Sequence, residues 1–332
     1  MTTKTVFVVG AGASKELGLP IGSELRDSIV NLFRNGDHSF LNGFSFAGSP
    51  GRRNYSTNSR DIAARVFQSL PLSTSIDEFI DEQADDAIEF AGKMAIVSKI
   101  LEEERSSAVY THRGRNGGLF DGSVLSNTWY ADLWRMIRTG CRTKEQIEKR
   151  LGSIAFIVFN YDRCVEHVLI SALRTYYSKA ISYPEADSLV SSTEIHHVYG
   201  QCGDLVDVPF GAELLPPQIE AVAGALKTFT EGLDPATSEV RAIRKAVASA
   251  KQIVFLGLSF NPRNMQVLRE QTSDDKNDVA CFGSALGFSD PDQKMIHHRI
   301  RMQLGIRPEV IRIEPVTCAS LMQMYSQSIQ LD

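Results

Sequence analysis

Short apolar runs alternate with amphipathic stretches along this chain. Residues 5–9 (Thr5-Val-Phe-Val-Val9) are apolar and β-branched almost throughout, the mark of a strand covered on both faces, and they stop abruptly at Gly10-Ala-Gly12-Ala-Ser14. Four further runs share this form. Residues 154–159 end in Asn160-Tyr-Asp162, 195–199 end at Gly200, 252–256 run into Gly257-Leu-Ser259, and 278–282 run into Gly283-Ser284. Between them the period lengthens to that of a helix. A helix begins after the first glycine turn and is interrupted at Gly18-Leu-Pro20; another, over about 23–33, places Leu25, Ile29, Leu32 and Phe33 on one face. Helical patterning is predicted over 61–70, strongly over 75–104, and again over 129–150, 162–176 and a stretch reaching Lys251, whereas 35–60 and 111–123 are glycine-rich and polar and read as loops.

The recurring unit is a buried strand, a glycine or polar residue at its carboxyl end, then a helix. That order predicts an α/β fold with a Rossmann-like, doubly wound parallel sheet. Residues 1–34 and 151–320 supply its core, 35–150 form a mostly helical insertion covering the pocket, and 321–332 form a C-terminal tail. Ligands of such sheets sit outside the carboxyl ends of the strands, which is where every candidate residue below falls.

Composition narrows the function classes. The net charge is −5, so the basic excess of a phosphate-backbone binder is missing and direct nucleic-acid binding is not expected, although Arg299, Arg301, Arg307 and Arg312 lie close together. The five cysteines, at 141, 164, 202, 281 and 318, include no C-x-x-C pair, which excludes a zinc ribbon or knuckle and fits reduced thiols. His297 and His298 have no suitably spaced ligands near them, so no metal is expected. The first apolar run is too short for a signal peptide, and no stretch approaches the ~18 apolar residues of a membrane span. A cytoplasmic protein is the expectation.

Gly10, Ala11, Gly12 and Ser14 follow the first strand directly. Glycines there permit a tight turn and close approach to a pyrophosphate, and the next helix would offer its amides and positive end; the bland alternative is a structural strand-to-helix turn. The third glycine of G-x-G-x-x-G is absent, with Lys15 in its place, and no G-K-[ST] follows, so a P-loop is excluded. Asn160 and Asp162 cap the second strand, either as helix N-caps or with Asn160 orienting a ribose or a water. His197 has the acid–base chemistry for work on a ribose hydroxyl. Strict alternation would put His197 and Tyr199 on one side of the strand and His196 on the other. Asp77, Asp81, Asp85 and Glu89 recur every four residues, as either a solvated helix face or a face meeting another subunit; Asp77 is also a candidate to turn inward.

Together these motifs resemble the sirtuin superfamily, in its bacterial sirtuin-like defence branch rather than its protein deacylases. The resemblance is carried by Gly10-Ala-Gly12-Ala-Ser14 with Gly18-Leu-Pro20, by Ser75-Ile-Asp77-Glu-Phe79, by Phe159-Asn160-Tyr-Asp162, by His197-Val-Tyr-Gly200 and by Gly257-Leu-Ser259-Phe260, and it spans about residues 5–290. It implies an NAD pocket in which Gly10, Ala11, Gly12 and Ser14 hold the pyrophosphate side and Asn160 lies near the nicotinamide ribose, with Asp162 in support. Gly257 and Ser259 would face the adenosine half, with Gly283 near adenine and Asp77 turned toward the pocket. His197 is the candidate base, with Tyr199 its rival, because the deacylase histidine directly precedes its glycine and Tyr199 holds that place here. Two departures argue against acyl-lysine chemistry: no four-cysteine zinc module can be built, and Pro20 is followed by Ile21-Gly22-Ser23 instead of Asp-Phe-Arg. The implied activity is NAD glycohydrolysis to nicotinamide and ADP-ribose, as an abortive-infection effector that depletes NAD. The implied setting is a homo-oligomer, with a HerA-type hexameric ATPase as partner. The competing readings are a non-catalytic scaffold binding NAD or ADP-ribose and, further off, a deacylase or ADP-ribosyltransferase.

Overall fold

A computed structural model of the chain describes residues 4–36, 41, 59–111, 120–178, 180–232, 234–235, 237–269 and 279–331. Six strands form one sheet: β1 (Lys4–Val9), β2 (Ile154–Val158), β3 (Glu194–His197), β4 (Ala250–Leu256), β5 (Ala280–Ser284) and β6 (Ile311–Glu314), in the order β3-β2-β1-β4-β5-β6. Every neighbouring pair is parallel. The expected Rossmann-like α/β sheet is therefore present. The chain winds outward from β1 to β3, then returns to β4 on the other side of β1, so the strand order reverses between β1 and β4. That reversal is where a crevice opens at the carboxyl ends of such a sheet.

Period-two alternation assigns each strand residue to a layer. Val6, Val8, Ala155, Ile157, Ile253 and Phe255 face one core, into which the helices Gly22–Arg34, Ile76–Gln83, Asp86–Ser106, Ser238–Ala248 and Asp290–Leu304 pack. Phe7, Val9, Phe156, Val158, Val254 and Leu256 face the other, under the helices Trp129–Arg138, Lys144–Leu151, Cys164–Tyr176, Tyr183–Ser191 and Cys318–Met324. The described helices of the 35–150 stretch are thus divided between the two layers of the sheet. Of the C-terminal residues, Leu321, Met322 and Ile329 are buried in the second core.

Several elements differ from the sequence reading for local reasons. The helix expected over 75–104 is broken at Ala84, which is left-handed (φ 47°), and restarts when the Asp85 carboxylate accepts from the amides of Ala87 and Ile88 at 2.9 and 3.3 Å. The stretch over 129–150 is likewise two helices, parted at Gly140 (φ 76°) and restarted by Thr143, whose hydroxyl accepts from Gln146 N. β6 was not anticipated; its alternation (Ile311 and Ile313 inward, Arg312 outward) is only four residues long. β5 begins two residues later than expected, and Asp278 lies outside the described residues, as do most of the loops read over 35–60 and 111–123. The acidic repeat is not one solvated face. Asp77 is half-buried and lines a cleft, Asp81 pairs with Arg263 at 2.8 Å, Asp85 caps a helix and binds Arg65 at 2.8 Å, and Glu89 pairs with Lys93 at 2.7 Å. All five cysteines are free and buried. No helix among the described residues is long and apolar enough to cross a membrane.

Candidate active site

A cleft of about 670 Å³ opens over the carboxyl ends of β1, β2, β4 and β5, within the roughly 300–1,000 Å³ usual for small-molecule sites. Its floor is made by two loops pressed together. Gly12 N donates to Gly257 O at 3.0 Å and Gly10 N to Leu256 O at 2.9 Å. A Cβ on Gly10 would lie 2.5 Å from Gly257 O, and one on Gly257 only 2.1 Å from Ala13 N; Gly257 is also left-handed, at φ 59°. The glycines are thus required by the contact of one loop with the other. That contact revises the expected amide cradle, because the Gly12 amide is committed to Gly257 and the Ala13 amide to Gly10 O at 2.9 Å.

Asn160 lies just beyond β2, 5% exposed, and lines the cleft. Behind it runs a chain of hydrogen bonds with a fixed direction. The Asp162 carboxylate accepts from Cys164 N at 3.1 Å and from the Ser14 hydroxyl at 3.1 Å. Ser14 thus donates to Asp162, and its oxygen is left to accept from Asn160 Nδ2, at 3.1 Å. The amide is thereby oriented, and its carbonyl oxygen Oδ1 is buried with no partner among the described residues. Ser14 and Asp162 themselves stand behind the cleft wall and act through Asn160.

Asp77 also lines the cleft. The Ser75 hydroxyl accepts from Glu78 N at 3.2 Å and starts the helix Ile76–Gln83, which sets Asp77 in the first turn. Burial pushes the Asp77 carboxyl above its ordinary value, opposed by a hydrogen bond from the Tyr161 hydroxyl. Of the remaining sequence candidates, Ala11, Tyr199, Gly257 and Ser259 also line the cleft. Tyr199 donates to Asn264 Oδ1 at 2.7 Å, and burial raises its phenol further, so it is a poor base.

Two further candidates are corrected. His197 does not face the cleft. β3 ends at His197 and a turn closed by Gly200 N to His197 O at 3.1 Å breaks the alternation, so Tyr199 swings into one layer while His197 stays in the other. There its Nε2 meets Glu166 Oε1 at 2.8 Å and its Nδ1 meets Asn160 O at 3.1 Å, beside a separate cavity of about 200 Å³. Gly283 is not at the pocket either. It lies within β5, where a Cβ would meet Ile313 and Phe255 at 2.6 and 3.3 Å; its neighbour Ser284 lines the cleft and accepts from Gly257 N at 2.9 Å.

The sequence reading missed Asn264, Phe229 and Glu16, all of which line the cleft. Asn264 and Phe229 carry no local motif, being brought in by the chain's return around β4. Glu16 was legible only as a charge in a helix. Its carboxylate accepts from Trp129 N at 2.8 Å and Ala319 N at 2.9 Å, tying two helix starts to the cleft rim, and burial raises it against those bonds. Among the described residues no cluster of His, Cys, Asp and Glu stands close enough to hold a metal ion. A scan of protein-family models and a search of curated proteins find no match to this chain.

Proposed function

We propose that the cleft binds NAD and hydrolyses the bond between nicotinamide and ribose. The observation that carries this reading is the buried, unpartnered Oδ1 of Asn160, a residue that lines a cleft at the reversal of the strand order and whose amide is held by Ser14 and Asp162. A fixed carbonyl acceptor there would take a hydrogen from a water and aim the water's lone pair at the ribose C1′. As the C1′–N bond breaks, its electron pair neutralises the pyridinium and nicotinamide leaves. The water oxygen bonds to C1′ and its proton passes to a base. Asp77 is the group proposed for that proton, because burial brings its carboxyl toward the range suited to general-base work. The products are nicotinamide, ADP-ribose and a proton.

The motif resemblance adds a setting: an NAD-depleting effector of anti-phage defence in a homo-oligomer working with a HerA-type ATPase. A second reading, NAD or ADP-ribose bound without cleavage, is favoured by the withdrawal of His197 from the cleft. Nicotinamide release from NAD, followed by chromatography with and without the ATPase, separates the two. Wild-type release that falls on the order of 10²-fold or more in Asn160→Ala supports hydrolysis. Bound NAD that stays intact under both conditions supports the scaffold.

A further inference from the structure

We propose that Lys15 is the cation that holds the pyrophosphate of the cleft's ligand, and that Glu24 retains it at the rim until that ligand enters; this rests on reading the cleft as a dinucleotide site. A pyrophosphate brings two negative charges that a partly apolar cleft must neutralise. The backbone supplies less than a strand–turn–helix usually does. The Gly12 and Ala13 amides already have carbonyl partners. The helix that follows runs only Ala11–Ser14 before tightening into a 3₁₀ turn at Lys15–Leu17, so its dipole is short. Neutralisation therefore falls to a side chain, and Lys15 is the one cationic residue among the described residues lining the cleft.

Lys15 occupies the place where a third loop glycine would stand, at the cleft wall. Its Nζ now lies 2.6 and 2.7 Å from the two oxygens of Glu24, and the side chains are 50% and 45% exposed. An ion pair that open to water is weak and screened, so exchanging Glu24 for a ligand phosphate costs little. Glu24 is held in place independently of Lys15, because its Oε2 accepts from Ile21 N at 3.0 Å at the start of the helix Gly22–Arg34. The carboxylate remains at the rim when the ammonium turns inward, and recaptures it when the ligand leaves.

The test uses the full chain and two probes, ADP and adenosine, which share a base and sugar and differ in the pyrophosphate. Calorimetric titration of wild type, Lys15→Met, Lys15→Arg and Glu24→Gln reads the effect, with melting temperatures confirming that each variant folds. Lys15→Met is expected to weaken ADP roughly ten-fold, as loss of one charge-assisted contact implies, while leaving adenosine unchanged. Lys15→Arg should restore most of that loss. Glu24→Gln, which keeps an oxygen for Ile21 N but removes the charge, should tighten ADP about three-fold. Unaltered ADP binding by Lys15→Met, or equal losses for ADP and adenosine, overturns the proposal. No tightening in Glu24→Gln overturns the retaining role. Lys15-dependent ADP binding by a protein that releases no nicotinamide from NAD would uphold this inference while sinking the hydrolase. A wild type that binds neither ADP nor NAD at millimolar concentration sinks both.

Discussion

His197 presents a choice between chemistry and structure that its ring nitrogens decide. Both face acceptors, the Asn160 carbonyl oxygen and the Glu166 carboxylate, and only the imidazolium donates to both. Burial alone would lower the imidazole, but the adjacent Glu166 charge holds it above its ordinary 6.5. Burial would likewise raise Glu166, but the imidazolium holds it below 4.5. The His197 contribution to stability is thus complete below pH 6.5 and lost as pH rises through the raised folded value. That of Glu166 is complete above pH 4.5 and lost as pH falls through the lowered one. The melting temperature should therefore have a plateau between these limits that flattens in His197→Gln; an unchanged profile would refute the pair's role. Replacing His197 by Ala strands a buried carboxylate and should cost about 3–5 kcal/mol in urea unfolding. A loss under about 1 kcal/mol would argue against a buried ion pair. Nicotinamide release per folded His197→Gln molecule should stay within a few-fold of wild type, whereas a true acid–base group would cost ~10²–10⁴-fold. Asn160 is the reverse case: its Oδ1 supports nothing in the fold, so Asn160→Ala should lose turnover with a small change in melting temperature.

The elements that make the cleft are loops whose backbones touch. Gly257 is left-handed and has no room for a Cβ beside Ala13 N, so Gly257→Ala should cost about 1–3 kcal/mol from strain and as much again from overpacking, with loss of ADP binding. Gly18 is also left-handed, at φ 96°, but a Cβ there meets nothing within 4 Å. Gly18→Ala should carry the strain alone and leave ADP affinity intact; equal effects at the two positions would remove the case for loop contact. The same comparison shows what the sequence could reveal. The strands were legible because residues covered on both faces must be apolar, and the glycines because few other residues end a buried strand so abruptly. What the glycines touch was not legible, since Gly10 and Gly257 are joined only by the sheet order. The orientation of His197 was misread because alternation holds along a strand but not through the turn after it. The break at Ala84 escaped because nothing in its residue type announces a left-handed backbone.

Across the whole molecule, one buried ion pair links the layer under the helix Asp86–Ser106 to the end of β2. Glu104 and Arg163 both have no exposed side-chain surface. Arg163 Nε donates to Glu104 Oε1 at 3.0 Å, and its guanidinium also reaches the carbonyls of Gly203, Val208 and Pro209. Glu104 Oε2 in turn accepts from Gly211 N at 2.9 Å. Arg163 directly follows Asp162, so the pair joins the long helix, the 203–211 loop and the support of Asn160 in one network. Removing the charge in Glu104→Gln leaves a guanidinium buried against carbonyls alone, which should destabilise the fold by about 3–5 kcal/mol. The network also predicts how the molecule unfolds. Trp129 and Trp134 stand in the opposite layer from the long helix, so tryptophan fluorescence reports one side of the sheet while helical circular dichroism samples both. A molecule bound together through this pair should lose both signals at one urea concentration, and Glu104→Gln should shift them together. If instead part of the helical signal were lost first while the tryptophans stayed buried, the helices packed in the layer of Asp86–Ser106 would be a unit folding on their own. The part of the cleft supplied by the helix Ile76–Gln83 would then be separable from the part supplied by the strand ends.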